Sequence, residues 1–149
     1  VTASDDAGRP LVHVVAAMIE RDGRYLLTQR RSTAVLPLLW EFPGGRVERG
    51  ESDGAALARE LDHRLGVRVE VGARVSSVRH SYEAYDVELH LYECALPSGA
   101  ALEPRSVHAF AWATSAEFEQ YSFTPADERS MNLLLGFVVA RASQPMLDV

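Results

Sequence analysis

The stretch from Trp40 to Val67, WEFPGGRVERGESDGAALARELDHRLGV, constrains the fold more than any other part of the chain. Read in order, it is a short extended segment, a glycine turn, an acidic loop and a helix. Trp40-Glu41-Phe42 is extended and closes on Pro43-Gly44-Gly45, where paired glycines permit positive φ and close backbone approach. Ser52 is placed to cap a helix, and Ala55 to Leu65 carries the helical period, with Leu57, Ala58, Leu61 and Leu65 as its apolar stripe. Gly66 stops the helix as a C-cap.

The remaining pattern surrounds this stretch with strands. Residues 1 to about 9 are polar and aperiodic, so residues 1–10 are expected as a flexible tail ahead of one domain over 11–149. Leu11 to Glu20 is a Val-rich buried strand, Arg21-Asp22-Gly23 supplies a turn, and Arg24 to Gln29 returns as the second arm of a hairpin. Ser32 to Leu39 is a loop. Val67 to Val71 and Val75 to Val78 alternate, and Val87 to Ala95 is the clearest strand of period two. Phe110-Ala111-Trp112 is a short strand and Ala116 to Gln120 a brief helical segment. Thr124-Pro125-Ala126-Asp127 starts a last helix, with Met131, Leu134, Leu135 and Val138 on one face. The expectation is an α/β domain, a mixed sheet between helices on two sides.

Composition narrows the function classes. At 149 residues and 47% hydrophobic content the chain fits one domain. No apolar stretch reaches the roughly 18 residues of a membrane span, and the N-terminus lacks the order of a signal peptide, so a soluble cytoplasmic protein is expected. Cys94 stands alone, which excludes an intramolecular disulfide and suits a small buried apolar group. A net charge of -6 argues against binding duplex nucleic acid. A free nucleotide needs only a local cation cluster, which Arg21, Arg24, Arg30 and Arg31 could supply, although a solvated strand end explains them as well. An apolar edge strand and a dimer contact look alike at this level, so a homodimer stays open.

The helix carries the candidate chemistry. Residues three or four apart share a face, so Glu60, His63 and Arg64 are expected to project together, opposite the leucine stripe. Glu60 offers hard oxygen and His63 offers nitrogen, whereas Arg64 stays protonated and cannot ligate a cation. Glu60 and Arg64 also have the spacing of an intrahelical ion pair, stabilising by roughly 0.2 to 0.5 kcal/mol. Glu51 could bring a carboxylate from the loop or pair with Arg59. The imidazole of His63 could serve as acid or base. His13, His80, His90 and His108 have no ligand-spaced partner in the sequence.

Gly45, Glu51, Arg59, Glu60, Leu61, Gly66 and Val67 fall at the spacing of the Nudix box, which this segment resembles; the family's adjacent glutamate pair is here His63 and Arg64. With VVAAMIERDGRYLLTQR, LLWEFPGGRVERGES and Phe123 to Asp127, the chain looks like the MutT-like branch over roughly residues 11 to 140. The resemblance implies an α/β/α sandwich that hydrolyses a nucleoside di- or triphosphate or another small diphosphate. It implies Mg²⁺ or Mn²⁺ held by Glu51, Glu60 and the Gly44 carbonyl, with metal binding and turnover weakened by His63 and Arg64. It also leaves room for a nucleotide-binding module without hydrolysis, or a metal-independent reaction through His63. A further glutamate of the family would fall near Ser106, with Glu103 three residues earlier. Among substrate contacts, Asp127 would read a base edge or favour the last helix through its dipole. From the arginine cluster Arg30 is the candidate substrate contact, and Tyr82, Tyr85 and Phe123 would stack on a base or pack in the core.

Overall fold

The computed structural model describes residues 2–4 and 8–134. Among these the chain runs β1 (Thr2–Ser4), β2 (Pro10–Met18), β3 (Glu20–Arg21), β4 (Arg24–Gln29), β5 (Trp40–Glu41), β6 (Gly44–Arg46), α1 (Asp53–Leu65), β7 (Glu70–Ser81), β8 (Asp86–Ala95), β9 (Ala109–Ala113) and a 3-10 turn (Ser115–Gln120). Helix α2 follows over residues 125–134. Leu135 and Val138, expected on its apolar face, lie outside the described residues.

One mixed sheet is centred on β2, which pairs in parallel with β8 along one edge. Its other edge is shared by β1, opposite Pro10 to Val12, and β6, opposite Val14 to Ala16, both antiparallel. β7 completes the sheet beyond β8. A second sheet is centred on β4, which pairs with β9, β3 and β5. Two apolar cores result. Val12, Ala16, Leu89, Leu91, Phe118 and Met131 pack on the α2 side. Val15, Ala17, Leu26, Leu57, Leu61 and Leu65 pack on the α1 side. Sheets flanked by helices on two sides are the α/β sandwich that the sequence pattern predicts.

Four local expectations change. The apolar run to Glu20 is not one arm of a hairpin: β2 ends at Met18 in the first sheet, and Glu20 and Arg21 alone pair with β4 in the second. A run buried on both faces suits a strand that crosses from one sheet to the other, with Ile19 buried at the crossing. Within the expected tail, Thr2–Ser4 pairs with β2. The glycine turn is itself a strand, because β6 fits against β2 only where side chains are absent. A Cβ on Gly44 would lie 1.9 Å from the Val15 carbonyl oxygen. The two alternating segments after α1 belong largely to one strand, β7, whose register slips on either side of Arg74.

Helix α1 is capped as expected: the Ala55 N–H donates to Ser52 Oγ at 3.1 Å, and Gly66 adopts φ of 67°. Its buried face differs from the expected stripe. Ala56 and Glu60 are buried with Leu57, Leu61 and Leu65, and Ala58 is exposed. At about 100° per residue, Glu60 and Arg64 flank the leucines rather than oppose them. That turn of the helix presents its charges to the sheet.

Candidate active site

Glu60 lies directly over the glycine strand. A Cβ on Gly45 would stand 2.4 Å from the Glu60 carboxyl carbon, so glycine is required for the carboxylate to rest there. Its Oε1 accepts from Arg59 Nη1 and its Oε2 from Arg64 Nε, each at 2.7 Å. Glu51 is held as firmly: Arg59 Nε and Nη2 donate to its two oxygens at 2.8 and 2.9 Å, and the Glu48 N–H donates at 3.0 Å. These bonds, the Arg59 pair foremost, hold the Glu51 carboxyl down at about 2. Arg59 therefore ties loop to helix, as one of the two readings of Glu51 supposed.

The phase of the ladder locates the Gly44 carbonyl. Ala17 N–H donates to the Pro43 carbonyl and Val47 N–H to the His13 carbonyl. Bonded pairs therefore alternate through Ala17–Pro43, Val15–Gly45 and His13–Val47, and Gly44 falls between them. Its carbonyl turns away from β2, toward the outer edge of β6.

Two adjoining cavities share Arg30 and Arg64. The inner one, about 150 Å³, is lined by Glu41, Gly44, Tyr82, Tyr85 and Asp127 among others. It holds two carboxylates, Asp127 buried and Glu41 half-buried. Asp127 Oδ1 accepts from the Phe42 N–H at 3.0 Å, and its Oδ2 from the Thr124 hydroxyl at 2.6 Å. Burial, reinforced by the nearby Glu41 charge, pushes the Asp127 carboxyl up to about 7. Burial likewise raises Glu41, opposed by Arg30 and Arg64. Arg30 Nη1 donates to Glu41 at 3.1 Å, while its Nε donates to the Val35 carbonyl at 2.7 Å. The outer cavity, about 260 Å³, is lined by Arg30, Arg31, Ala34, Glu60, His63, Arg64 and Ser106.

The structure thus brings together most of the expected site. Glu60, Arg30, Asp127, Tyr82 and Gly44 face one or other cavity. Glu51 sits beside Arg59 at the loop end of α1 and lines neither. Asp127 lies in the first turn of α2 and also faces the inner cavity, the position that each of its two expected roles requires. Phe123 packs against Phe118 and Tyr121, away from the cavity lining. Of the four clustered arginines, Arg30 and Arg31 reach the site; Arg21 stacks on Trp112, and Arg24 lies at the opposite end of β4. Ser106 occupies the position expected of a further glutamate, while Glu103 pairs with exposed Arg105. His63 is exposed at the rim, and no described residue hydrogen-bonds to its imidazole. Glu41 was missed. Its single place in a short extended segment gave no signal of burial, although an acidic residue in a run that must be buried calls for a partner.

With Arg64 bonded to Glu60, these residues do not fit a hard divalent cation; with Arg64 withdrawn, Glu60, Glu51 and the Gly44 carbonyl would. Both Glu60 oxygens and both Glu51 oxygens are engaged by guanidinium groups, and Arg64 reaches on to 3.8 Å from Glu41. A positive charge stands among the oxygens that a cation would require.

A model of the NUDIX domain matches residues 14–133. The CTP pyrophosphohydrolase of Escherichia coli K12 is 40% identical over 136 residues, covering 91% of this chain and 97% of that protein. A putative 8-oxo-dGTP diphosphatase 2 of Mycobacterium tuberculosis is 37% identical, covering 76% and 81%. The solution structure of the E. coli ORF135 protein superposes with a TM-score of 0.74 at 36% identity, covering 95% and 99%. The glycine strand, the capped helix over it and the cleft beside them are those of the family: this chain is a Nudix protein of the MutT-like kind.

Proposed function

We propose that this chain binds a nucleoside triphosphate in the double cavity and hydrolyses it slowly to the monophosphate. The observation that carries this reading is the division of the cleft into a carboxylate end and a guanidinium end. Glu41 and Asp127 offer acceptors and, when Asp127 is protonated, a donor for the edge of a base. Tyr82 and Tyr85 wall the same cavity and offer faces for stacking. Arg30, Arg31 and Arg64 bring positive charge to the adjoining cavity, where the phosphates would lie. Relatives named for CTP and for 8-oxo-dGTP make a nucleobase with an exocyclic amine the favoured ligand.

Divalent metal is the usual help in such cleavage, neutralising phosphate oxygens and lowering the pKa of the attacking water. Here Glu60, Glu51 and the Gly44 carbonyl are the groups that would hold it, and Arg64 must first release Glu60. Low turnover follows from that displacement. The same ion pairs favour a second reading, in which the cleft binds nucleotide without cleaving it. A metal-independent reaction through His63 has less support, because among the described residues no carboxylate orients that ring.

Pyrophosphate release from CTP and 8-oxo-dGTP, with Mg²⁺ and with Mn²⁺, tests the proposal. Slow release is expected from the native chain, none from Glu60→Gln, and faster release from a His63→Glu, Arg64→Glu double variant. No release from the native chain, with release appearing in the double variant, would favour the binding module. Native release that survives Glu60→Gln but fails in His63→Ala would favour the histidine route.

A further inference from the structure

A second polar cluster lies on the α1 side of the first sheet, over β2 and β8. Parallel pairing sets His13 opposite Glu88 and Val15 opposite His90, so His13, Glu88 and His90 share the face on which α1 lies. Asp53, the first residue of α1, reaches the same point. His13 Nε2 stands 3.0 Å from His90 Nδ1, His90 Nδ1 2.9 Å from Asp53 Oδ2, and His13 Nε2 3.5 Å from Asp53 Oδ1. On the far side of its ring, His90 Nε2 lies 3.5 Å from Glu88 Oε2. Ligand-type atoms of His13, Glu88 and His90 all fall within 4.8 Å of one another.

The triangle has the dimensions of a metal site. Three ligands on a tetrahedral ion with bonds of about 2.0–2.2 Å stand about 3.3 Å apart. His90 Nδ1 faces two groups, His13 Nε2 and Asp53 Oδ2, but one ring nitrogen carries at most one proton. A cation at the centre satisfies all three lone pairs at once. We propose that His13 Nε2, His90 Nδ1 and the Asp53 carboxylate bind a zinc-class divalent ion, with Glu88 orienting His90 through its other nitrogen. Imidazole nitrogen with carboxylate selects zinc, cobalt or nickel over magnesium. A carboxylate on the second nitrogen is the usual outer partner of a ligating histidine, fixing its tautomer. Tyr92 donates to Asp53 Oδ2 and steadies that ligand in turn. His90 is nearly enclosed at 12% exposure and His13 more open at 31%, which leaves an approach for the ion.

The site is separate from Glu60 and the two cavities, although Asp53 belongs to the box segment. Gly45, Val15 and His90 lie in one row across β6, β2 and β8, so two strand spacings, about 10 Å, divide His90 from the glycine beneath Glu60. Such an ion would pin the first turn of α1 to the two central strands, steadying the helix that carries Glu60.

The test is titration of the folded chain with Co²⁺, whose tetrahedral complexes absorb strongly in the visible, followed by displacement with Zn²⁺. The expected result is one equivalent of a tetrahedral band, abolished in His90→Ala and in His13→Gln and retained in Glu60→Gln. His13→Gln, at the more exposed ring, decides the matter if His90→Ala does not fold. No band in the native chain, a band that survives His13→Gln, or one lost in Glu60→Gln would overturn the assignment.

Discussion

Replacing Arg64 by alanine isolates the contact on which activity turns. Its Nε donates to Glu60 Oε2 at 2.7 Å, with the arginine side chain 24% exposed and the glutamate 11%. A charge-assisted bond in such surroundings contributes about 1.5–3 kcal/mol, more than the exposed helical pair that sequence spacing alone suggests. Glu60 keeps Arg59, so the chain should still fold but melt at lower temperature. The same free energy currently opposes any cation entering between Glu60 and Gly44. At 1.4 kcal/mol per decade, the variant should bind Mn²⁺ roughly ten- to a hundredfold more tightly than the native chain. Thermal melts with and without Mn²⁺, paired with calorimetric titration, measure both effects. Equal melting temperatures and equal Mn²⁺ affinities in the two proteins would refute the idea that Arg64 holds the cation's place.

Other consequences follow from the same geometry. Gly44→Ala should destabilise more than Gly45→Ala, because the first places a methyl 1.9 Å from backbone oxygen and the second meets only the Glu60 side chain; denaturant melts that reverse this order would contradict the packing described. Asp127 titrates at about 7 in the fold against about 3.9 in an unfolded chain. A raised folded pKa gives a contribution that is full below about pH 4 and is lost as pH rises through 7. Asp127→Asn, which keeps an acceptor for the Phe42 N–H, should therefore lose less stability than the native chain between pH 4 and 8. Parallel curves would remove that role from Asp127.

The elements were legible where periodicity or a cap announced them. Ser52, Gly66 and the alternation of β8 each report a local preference that tertiary structure kept. Where the sequence misled, long-range pairing decided. Nothing near Ile19 signals that the chain changes sheets there, because both faces of a crossing strand are apolar. The placement of Glu60 depends on Gly45 opposite Val15, a contact set by sheet register. His13 and His90 illustrate the same limit: 77 positions separate them, yet parallel pairing puts their nitrogens 3.0 Å apart. Ligand spacing along the chain reveals sites built on one helix or turn, and this cluster is built across two strands and a helix end. Arg64 was legible both as a substitution in the box and as the helical ion-pair partner of Glu60; the burial of Glu60 was not.

Guanidinium groups stand where a cation would otherwise meet the phosphates. Titrating the native chain with CTP in the presence of a chelator, beside an Arg30→Ala, Arg64→Ala variant, tests this most directly. Binding that persists in chelator and weakens at least tenfold in the variant is the predicted result. Binding that appears only when Mg²⁺ is supplied, and is indifferent to the two arginines, would contradict it.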